Sequence, residues 1–378
     1  MWSSTVNNDS SINFVTEIAK DIPSKGNFFE DYNEFCKQFS ILPCPYVKES
    51  VYINSESTNI NVVKISSTII DLSSWRAMLL AISTIGSKIT EIIVYDACIS
   101  GQHINDLKIT MDKIGYFPVI KLEYITCKVP EGEELLSQSP NSPLYESFQL
   151  LLNGTSSIDY ISLKGTKLTD DFIVTSKSSI QNNLTLQALN LNDTNITDNG
   201  LKELFTYLRV NPCLKQLSLS RNKNLTVSSL ETISSFLIST VLVTPEEETI
   251  YKDFAKVVGD RNKAIKDKNK ARKKANLPDL IELSNPSDRF FSINGEKKAI
   301  NKMLTTIDYS YNGLYDTKSI QDFVELIESK APDIVTVCGP INFNFIAKND
   351  NSMNIDRLII DEKLMMLTEK SITITINM

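Results

Sequence analysis

The sequence predicts an α/β solenoid, with parallel strands on a concave face and helices on a convex face. Three observations predict it. A frame recurs in which an apolar residue is followed by others three, five and ten places later. It reads Leu186, Leu189, Leu191 and Ile196, restarts at Ile158, Leu214 and Leu304, and is more disguised from Ile60, Ile89 and Phe117. Of the 28 places the frame sets, 27 are apolar, where a 42% apolar composition puts roughly 12 by chance. The starts lie 29, 28, 41, 28, 28 and 90 residues apart, and four of these intervals have the length that alternates a strand with a full helix. The segments between frames carry the helical period: ITDNGLKELFTYLRVNP sets Leu201, Leu204, Phe205 and Leu208 on one stripe. Together these define the leucine-rich-repeat solenoid, an arc of units that cannot bury their apolar faces singly but share one core when stacked.

Each element follows from the frame. In a strand, residues two apart share a side, so Leu189 and Leu191 face the core while Ala188, Asn190 and Asn192 face outward. The ninth place of a repeat suits Asn, whose amide bonds the backbone of adjacent turns. Asn222 and Asn312 fit, Thr68, Thr166 and Thr194 offer a hydroxyl, and Ala97 and Ile125 offer neither. The helix that follows is expected to start with Asp198 as its N-cap and to stop before Pro212. LTVSSLETISSFL and LYDTKSIQDFVELIESKAP repeat the plan.

Five segments are expected. Residues 1–58 form an N-terminal helical cap, whose helix carries Phe29, Tyr32, Phe35 and Phe39 and ends near Pro43. Residues 59–239 hold the repeats, with a loop extension at 128–157 that includes a helix at 143–152. Residues 240–300 form a charged helical insertion. Its first part, PEEETIYKDFAKVVGDRNKAIKDKNKARKKANL, reads as one long helix with acids at the start and bases at the end. Its second part, PDLIELSNPSDRFFSINGEKK, has the Pro, Ser, Asn and Gly of a loop. Repeats resume over 301–350, with a further unit from Ile334, and 351–378 supply a C-terminal cap from RLIIDEKLMML and a terminal strand, ITITIN.

Composition narrows the function. The net charge of −7 argues against nucleic acid as the general partner. The start MWSSTVNNDSS lacks the charged and apolar regions of a signal peptide, and no run of about 18 apolar residues exists to span a membrane, so a cytoplasmic location is expected. Cys36, Cys44, Cys98, Cys127, Cys213 and Cys338 have no zinc-ligand spacing and read as small buried thiols. His103, the sole histidine, is expected at the surface or half-buried, with no catalytic partners at motif spacing. No phosphate-loop, dinucleotide or metalloprotease motif occurs. No enzyme activity, cofactor, metal or small-molecule substrate is therefore expected.

A partner-binding surface remains. The N-terminal half of the concave face sets Glu91, Ile93, Tyr95, Lys121, Glu123, Tyr160 and Lys164 outward, an aromatic and aliphatic centre flanked by charge. The alternative is that exposed strands favour such residues in any sheet. The insertion offers a second surface: Arg261, Lys263, Lys266, Lys270, Arg272, Lys273 and Lys274 lie in a stretch with one acid, Asp267. That stretch reads either as a solvated helix face or as a contact for an acidic partner.

The order of parts resembles a known family. Long repeats are broken by a lysine-rich insertion after SLSRNKNLTVSSLETISSFL and resume as LTTIDYSYNGLYDTKSIQDFVELI, and EDYNEFCKQFSILPCP is similar too. Over roughly 55–345 this resembles the leucine-rich-repeat-containing protein seventy-one family of motile cilia and flagella. The resemblance implies a non-enzymatic scaffold of the axoneme, with tubulin or microtubule-associated complexes as partners, and transfers no binding residue. Two other readings stay open. Ran-directed GTPase-activating proteins share such repeats and place an Arg at a repeat turn, as Arg221 stands beside Asn222, although the tail here is not acidic. The third reading is a cytosolic adaptor for a ligase or phosphatase.

Overall fold

The frame residues become the core. A computed structural model describes residues 14–47, 62–127, 142–153, 157–209, 211–238, 241–242, 244–274, 279, 282, 290–293, 296–299, 303–312, 317–338, 341–346 and 372–377. Each frame residue described is buried except Cys127, half-buried, and Asn224, exposed, whose place Leu225 takes at 2% exposure. Ile60 and Leu314, the loop at 128–141, most of 275–289, KNDNSMN and RLIIDEKLMML lie outside the described residues.

The turn after each strand shows the repeat in the backbone. The eighth frame place has positive φ at Asp96, Tyr124, Gly165, Asp193, Arg221 and Tyr311. The left-handed residue reverses the chain between strand and helix. It recurs in the disguised N-terminal frames as in the regular ones, so those frames are repeats in geometry as well as in pattern.

The chain divides into two compact units. The first comprises Met1–Leu151, Thr155–Ile158 and Lys263–Glu282. It opens with α1 (Phe14–Ile18) and α2 (Phe28–Gln38), then alternates β1 (Val62–Ile69), α3 (Leu72–Ile82), β2 (Glu91–Ile99), α4 (Gly101–Ile114) and β3 (Tyr116–Glu123). A two-residue β4 (Thr126–Cys127) pairs with β2, and α5 (Tyr145–Leu152) follows. Strands β1, β2 and β3 are parallel and in register, with Val62 beside Glu91 and Glu91 beside Val119. The buried stripe of α2 is Phe28, Asp31, Tyr32, Phe35 and Cys36, whereas Phe29 and Phe39 are only half-buried. Asn27 caps this helix and sets the phase, so the stripe begins one residue before the expected Phe29. Buried Asp31 accepts hydrogen bonds from Ser24 Oγ (2.6 Å), the Lys25 amide (2.8 Å) and Thr84 Oγ1 (3.3 Å). These bonds hold the N-terminal segment to the end of α3.

The second unit comprises Leu152–Gly154, Asp159–Asn262 and Leu283–Met378. Its strands are parallel: β5 (Ser157–Ser162), β6 (Ala188–Asn190), β7 (Gln216–Ser218), β11 (Thr306–Asp308), β12 (Ile341–Ile346) and β13 (Ile372–Asn377). Between them run α6 (Asp170–Thr175), α7 (Lys177–Gln181), α8 (Asp198–Leu208), α9 (Ser228–Ile238) and α11 (Thr317–Cys338). The insertion supplies β8 (Val241–Leu242), α10 (Pro245–Lys274), β9 (Phe290–Ile293) and β10 (Glu296–Ala299).

Three expectations are corrected here. The segment read as a loop contains antiparallel β9 and β10, and β10 also pairs with β8. The Asn-Gly between them, with apolar FFSI before it, was the hairpin signal. The unit expected from Ile334 starts later: Ile334–Cys338 end α11, and the register sets Phe345, fully buried, beside Ile307. The helix runs on through Pro332 to Cys338. The N-cap of α8 is Thr197, not Asp198.

That last correction exposes a ladder. Asp170 accepts from the Thr197 amide (2.8 Å) and hydroxyl (2.5 Å) of the next repeat. Asp198 repeats this one unit later, accepting from Thr226 N (2.9 Å), Thr226 Oγ1 (2.5 Å) and Ser228 Oγ (2.7 Å). A Cβ on Gly200 would collide with the Asp170 carboxylate, so the close approach requires glycine. Burial alone would raise the Asp198 pKa, but the Thr226 and Ser228 bonds outweigh it and hold the carboxyl below the usual range. A depressed folded pKa means stability present above the unfolded value and lost as pH falls through the folded one. Asp198→Ala is expected to cost about 1 kcal/mol at neutral pH, as losing a cap does. Urea midpoints measured from pH 7 downward should converge with wild type once the carboxyl protonates, below about pH 4. A constant gap across pH would refute the assignment.

A second ladder satisfies the opposite strand ends. Asn183 Nδ2 donates to Leu152 O (2.5 Å), and its Oδ1 accepts from the amides of Thr185 (2.9 Å) and Leu186 (2.8 Å). Asn211, 28 residues on, donates to Ile180 O (2.8 Å) and Asn183 O (3.1 Å) and accepts from the amides of Cys213 (3.0 Å) and Leu214 (2.8 Å).

Candidate interaction surface

In the first unit, the strand register builds three outward rows: Val62, Glu91 and Val119; Lys64, Ile93 and Lys121; Ser66, Tyr95 and Glu123. Lys121 reaches diagonally to Glu91 at 2.6 Å. Tyr95, 39% exposed, meets Tyr124 edge to face at 5.2 Å. Ile93 and Glu123 are half-buried. Five of the expected residues, Glu91, Ile93, Tyr95, Lys121 and Glu123, thus share one face. Their charges are partly matched within it.

In the second unit, outward places align as Tyr160, Ala188, Gln216, Thr306 and Asn344, and as Ser162, Asn190, Ser218 and Asp308. Asn190 Nδ2 donates to the Tyr160 hydroxyl at 3.2 Å. Ala188 and Asn190, expected as surface residues, are 9% and 8% exposed. They do face outward, but larger neighbours such as Tyr160 cover them. The floor is therefore small, flat and polar.

Charge gathers where these strands end. Lys164 is half-buried there, Lys167 lies 3.2 Å from Asp193, and the Arg221 guanidinium stacks on the Tyr311 ring at 4.6 Å. Beneath them Asn222, fully buried, donates to Leu191 O (2.9 Å) and Leu219 O (2.8 Å) and accepts from Thr194 N (2.8 Å) and Thr194 Oγ1 (2.7 Å). Asn312 donates to Leu219 O (2.7 Å) and accepts from the Asn222 amide (2.6 Å). Thr166 donates its hydroxyl to Leu163 O, and Thr194 divides its one hydroxyl proton between Asn222 Oδ1 and, at 3.1 Å, Leu191 O, the hydroxyl share of this role expected of them. The Thr68 side chain lies outside the described residues.

The insertion helix separates the expected basic residues. In the second unit, Phe254, Val258 and Arg261 are each 2% exposed, and the first two pack with Cys213 and Leu184. Arg261 is ion-paired with Asp159 and donates to Thr185 O. Its expected role as a surface contact is thereby corrected: at helical spacing it continues the buried stripe of Phe254 and Val258 and faces a carboxylate. In the first unit, Lys263 and Lys274 are exposed. Lys266 lies 3.4 Å from Glu282, Lys270 2.8 Å from Asp267 and Lys273 3.2 Å from Asp279. Lys268 donates to Tyr116 O at 2.8 Å and sits over the Tyr116 and Phe117 rings. The Arg272 side chain lies outside the described residues.

The chemistry-bearing side chains serve the fold. His103 is 3% exposed, not at the surface as expected. Its Nδ1 accepts from the Ser100 amide at 3.2 Å, so Nε2 carries the proton and donates to Ile70 O at 3.0 Å. Its carbonyl accepts from Trp75 Nε1 at 2.9 Å. Cys36, Cys44 and Cys213 are buried free thiols, whereas Cys98 and Cys127 are only half-buried. Burial pushes the Cys36 thiol up to about 11 and the Cys213 thiol higher still, away from the reactive thiolate. Among the described residues, no group of three or more His, Cys, Asp and Glu is placed to hold a metal, and no helix is long and apolar enough to cross a membrane.

A family model described as Leucine Rich repeat matches residues 182–205, which cover the frame from Leu186 and most of α8. No curated protein matches the chain. The recurring strand, left-handed turn and helix, with the matched repeat inside them, give this chain the α/β fold of a leucine-rich-repeat solenoid.

Proposed function

We propose that this protein is a non-enzymatic scaffold that binds other proteins through its strand faces, as a component of the ciliary or flagellar axoneme. Leucine-rich repeats suggest protein–protein interaction, and one observation carries the reading for this chain. The buried polar residues are spent on ladders that stiffen the backbone, while the outward strand places carry charge, hydroxyls and Tyr95. Such a face is pre-organised, so little entropy is lost when a partner docks. The axonemal assignment is supported by the order of repeats and the lysine-rich insertion between them. A tagged copy expressed in a flagellated cell is expected to mark the axoneme, and a diffuse cytosolic signal would overturn that assignment. Cross-linking on isolated axonemes is expected to join Lys263–Lys274 or the strand faces to tubulin or microtubule-associated proteins. Recovery of a Ran-type GTPase, or of ligase or phosphatase subunits, would favour the alternative readings instead.

A further inference from the structure

We propose that the C-terminal edge of the strand face in the second unit is a docking site for an extended acidic segment of a partner protein. The proposal deepens the scaffold reading by naming the chemistry that one edge takes. The turns after β5 and β7 bring Lys164, Lys167, Arg221 and Lys223 to one rim. Backbone hydrogen bonds stack these turns: Gly165 N donates to Asn192 O, Asp193 N to Ser220 O and Arg221 N to Ser310 O, each at 2.9 Å. Asp193, within these turns, is already held by Lys167, and Asp308 ends the adjoining outward row, where it accepts from the Ser310 amide at 3.0 Å. Arg221 and Lys223 are exposed, and among the described residues neither has a carboxylate partner.

The rim is also pre-shaped. Stacking on Tyr311 orients the Arg221 guanidinium while leaving the N–H fork at its edge, the arrangement that suits carboxylates. Beside the rim the outward row of Ser162, Asn190 and Ser218 carries short polar side chains, with Ser162 and Asn190 buried, so a docked chain would bear on the rim itself. Lys167 and Lys223 are two strand spacings apart, roughly 10 Å, which is the reach of three residues in an extended peptide. In a polyproline-II segment every third side chain shares a face, about 9 Å apart, so acids at every third place would meet both basic positions.

The test is fluorescence anisotropy of the full chain with a labelled peptide of about twelve residues, repeating Glu-Gly-Ser, at low salt of about 20 mM and again at about 300 mM. Saturable binding is expected that weakens with salt. It should fall roughly tenfold in the Arg221→Gln/Lys223→Gln double variant and stay within about twofold in Lys202→Gln/Lys256→Gln, two exposed helix positions outside either surface. Lys223→Gln alone, checked for folding by circular dichroism, should weaken binding about threefold. No saturable binding, equal affinity in the rim variants, loss in the helix variant, or tighter binding of a single-stranded RNA of similar length would each overturn it. Localisation in the cilium is read separately, so failure here leaves the axonemal assignment standing and the reverse also holds.

Discussion

Asn222→Ala is expected to destabilise the second unit by about 3–5 kcal/mol, because one side chain satisfies several buried groups at once. Its amide serves the carbonyls of Leu191 and Leu219 and its oxygen serves Thr194 N and Oγ1, all at 2.7 to 2.9 Å. Alanine leaves the Thr194 amide without its acceptor and takes one donor from each carbonyl, Leu219 O keeping Asn312 and Leu191 O the Thr194 hydroxyl, in a fully buried site. Each such loss costs about 1–3 kcal/mol, and the vacated volume adds to it. The effect should stay local to neighbouring repeats, since stability in stacked units is a sum of adjacent terms. Hydrogen-exchange mass spectrometry is the suitable readout: peptides covering residues 186–196 and 214–225 should lose most of their protection. Asn195→Ala, at an exposed turn position, should change stability by less than about 0.5 kcal/mol. Comparable losses in the two variants would refute the ladder.

Arg261→Ala is expected to cost about 3 kcal/mol, in contrast with its lysine neighbours. The guanidinium is 2% exposed, faces Asp159 and donates to Thr185 O, so truncation leaves a carboxylate and a carbonyl without their donor. Arg261→Met keeps the bulk along the Phe254 and Val258 stripe and should recover part of the loss. Lys270→Ala removes only an exposed pair to Asp267 and should cost under about 0.5 kcal/mol. Urea unfolding of the three variants decides the matter. Should Arg261→Ala unfold like wild type yet lose partner binding, the side chain would be a surface contact after all.

Much of this was legible in the sequence because it depends on short periodic patterns. The frame places from Val63 to Tyr309 announce burial by being apolar at three, five and ten, and the structure buries them save Cys127, half-buried, and the polar Asn224. Asn222 and Asn312 could be read because a buried Asn in a turn has a defined donor and acceptor task. Asn183 and Asn211 were missed, though their spacing of 28 equals the repeat. So were the bonds of Asp170 and Asp198, which are 28 apart and face Thr197 and Thr226, 29 apart. Identical polar residues at the repeat length were the available signal, and a reading confined to apolar places passes over it.

The candidate surface was legible in direction and not in exposure. Alternation along the strand correctly turns Glu91, Ile93, Tyr95, Lys121 and Glu123 to one side. It cannot report that Lys121 lies against Glu91, or that Ala188 and Asn190 are covered by their neighbours, because those depend on the adjacent strand. The charge run at 261–274 shows the same division. Eight bases in a helix look alike in sequence, yet Arg261 is interior, Lys268 lies on aromatic rings, and Lys263 and Lys274 are exposed.

What the sequence determined by itself is the repeat: its strand and helix order, its inward residues and its stacked core. Those follow from the free energy of burying apolar surface, which local spacing encodes. The tertiary structure decided which polar side chains became internal partners and which remained available. A hydrogen bond or ion pair depends on what stands opposite across 27 residues or more, and no periodicity within one repeat specifies that. Arg221 and Lys223 stay at the rim, and Arg261 leaves the surface, for that reason.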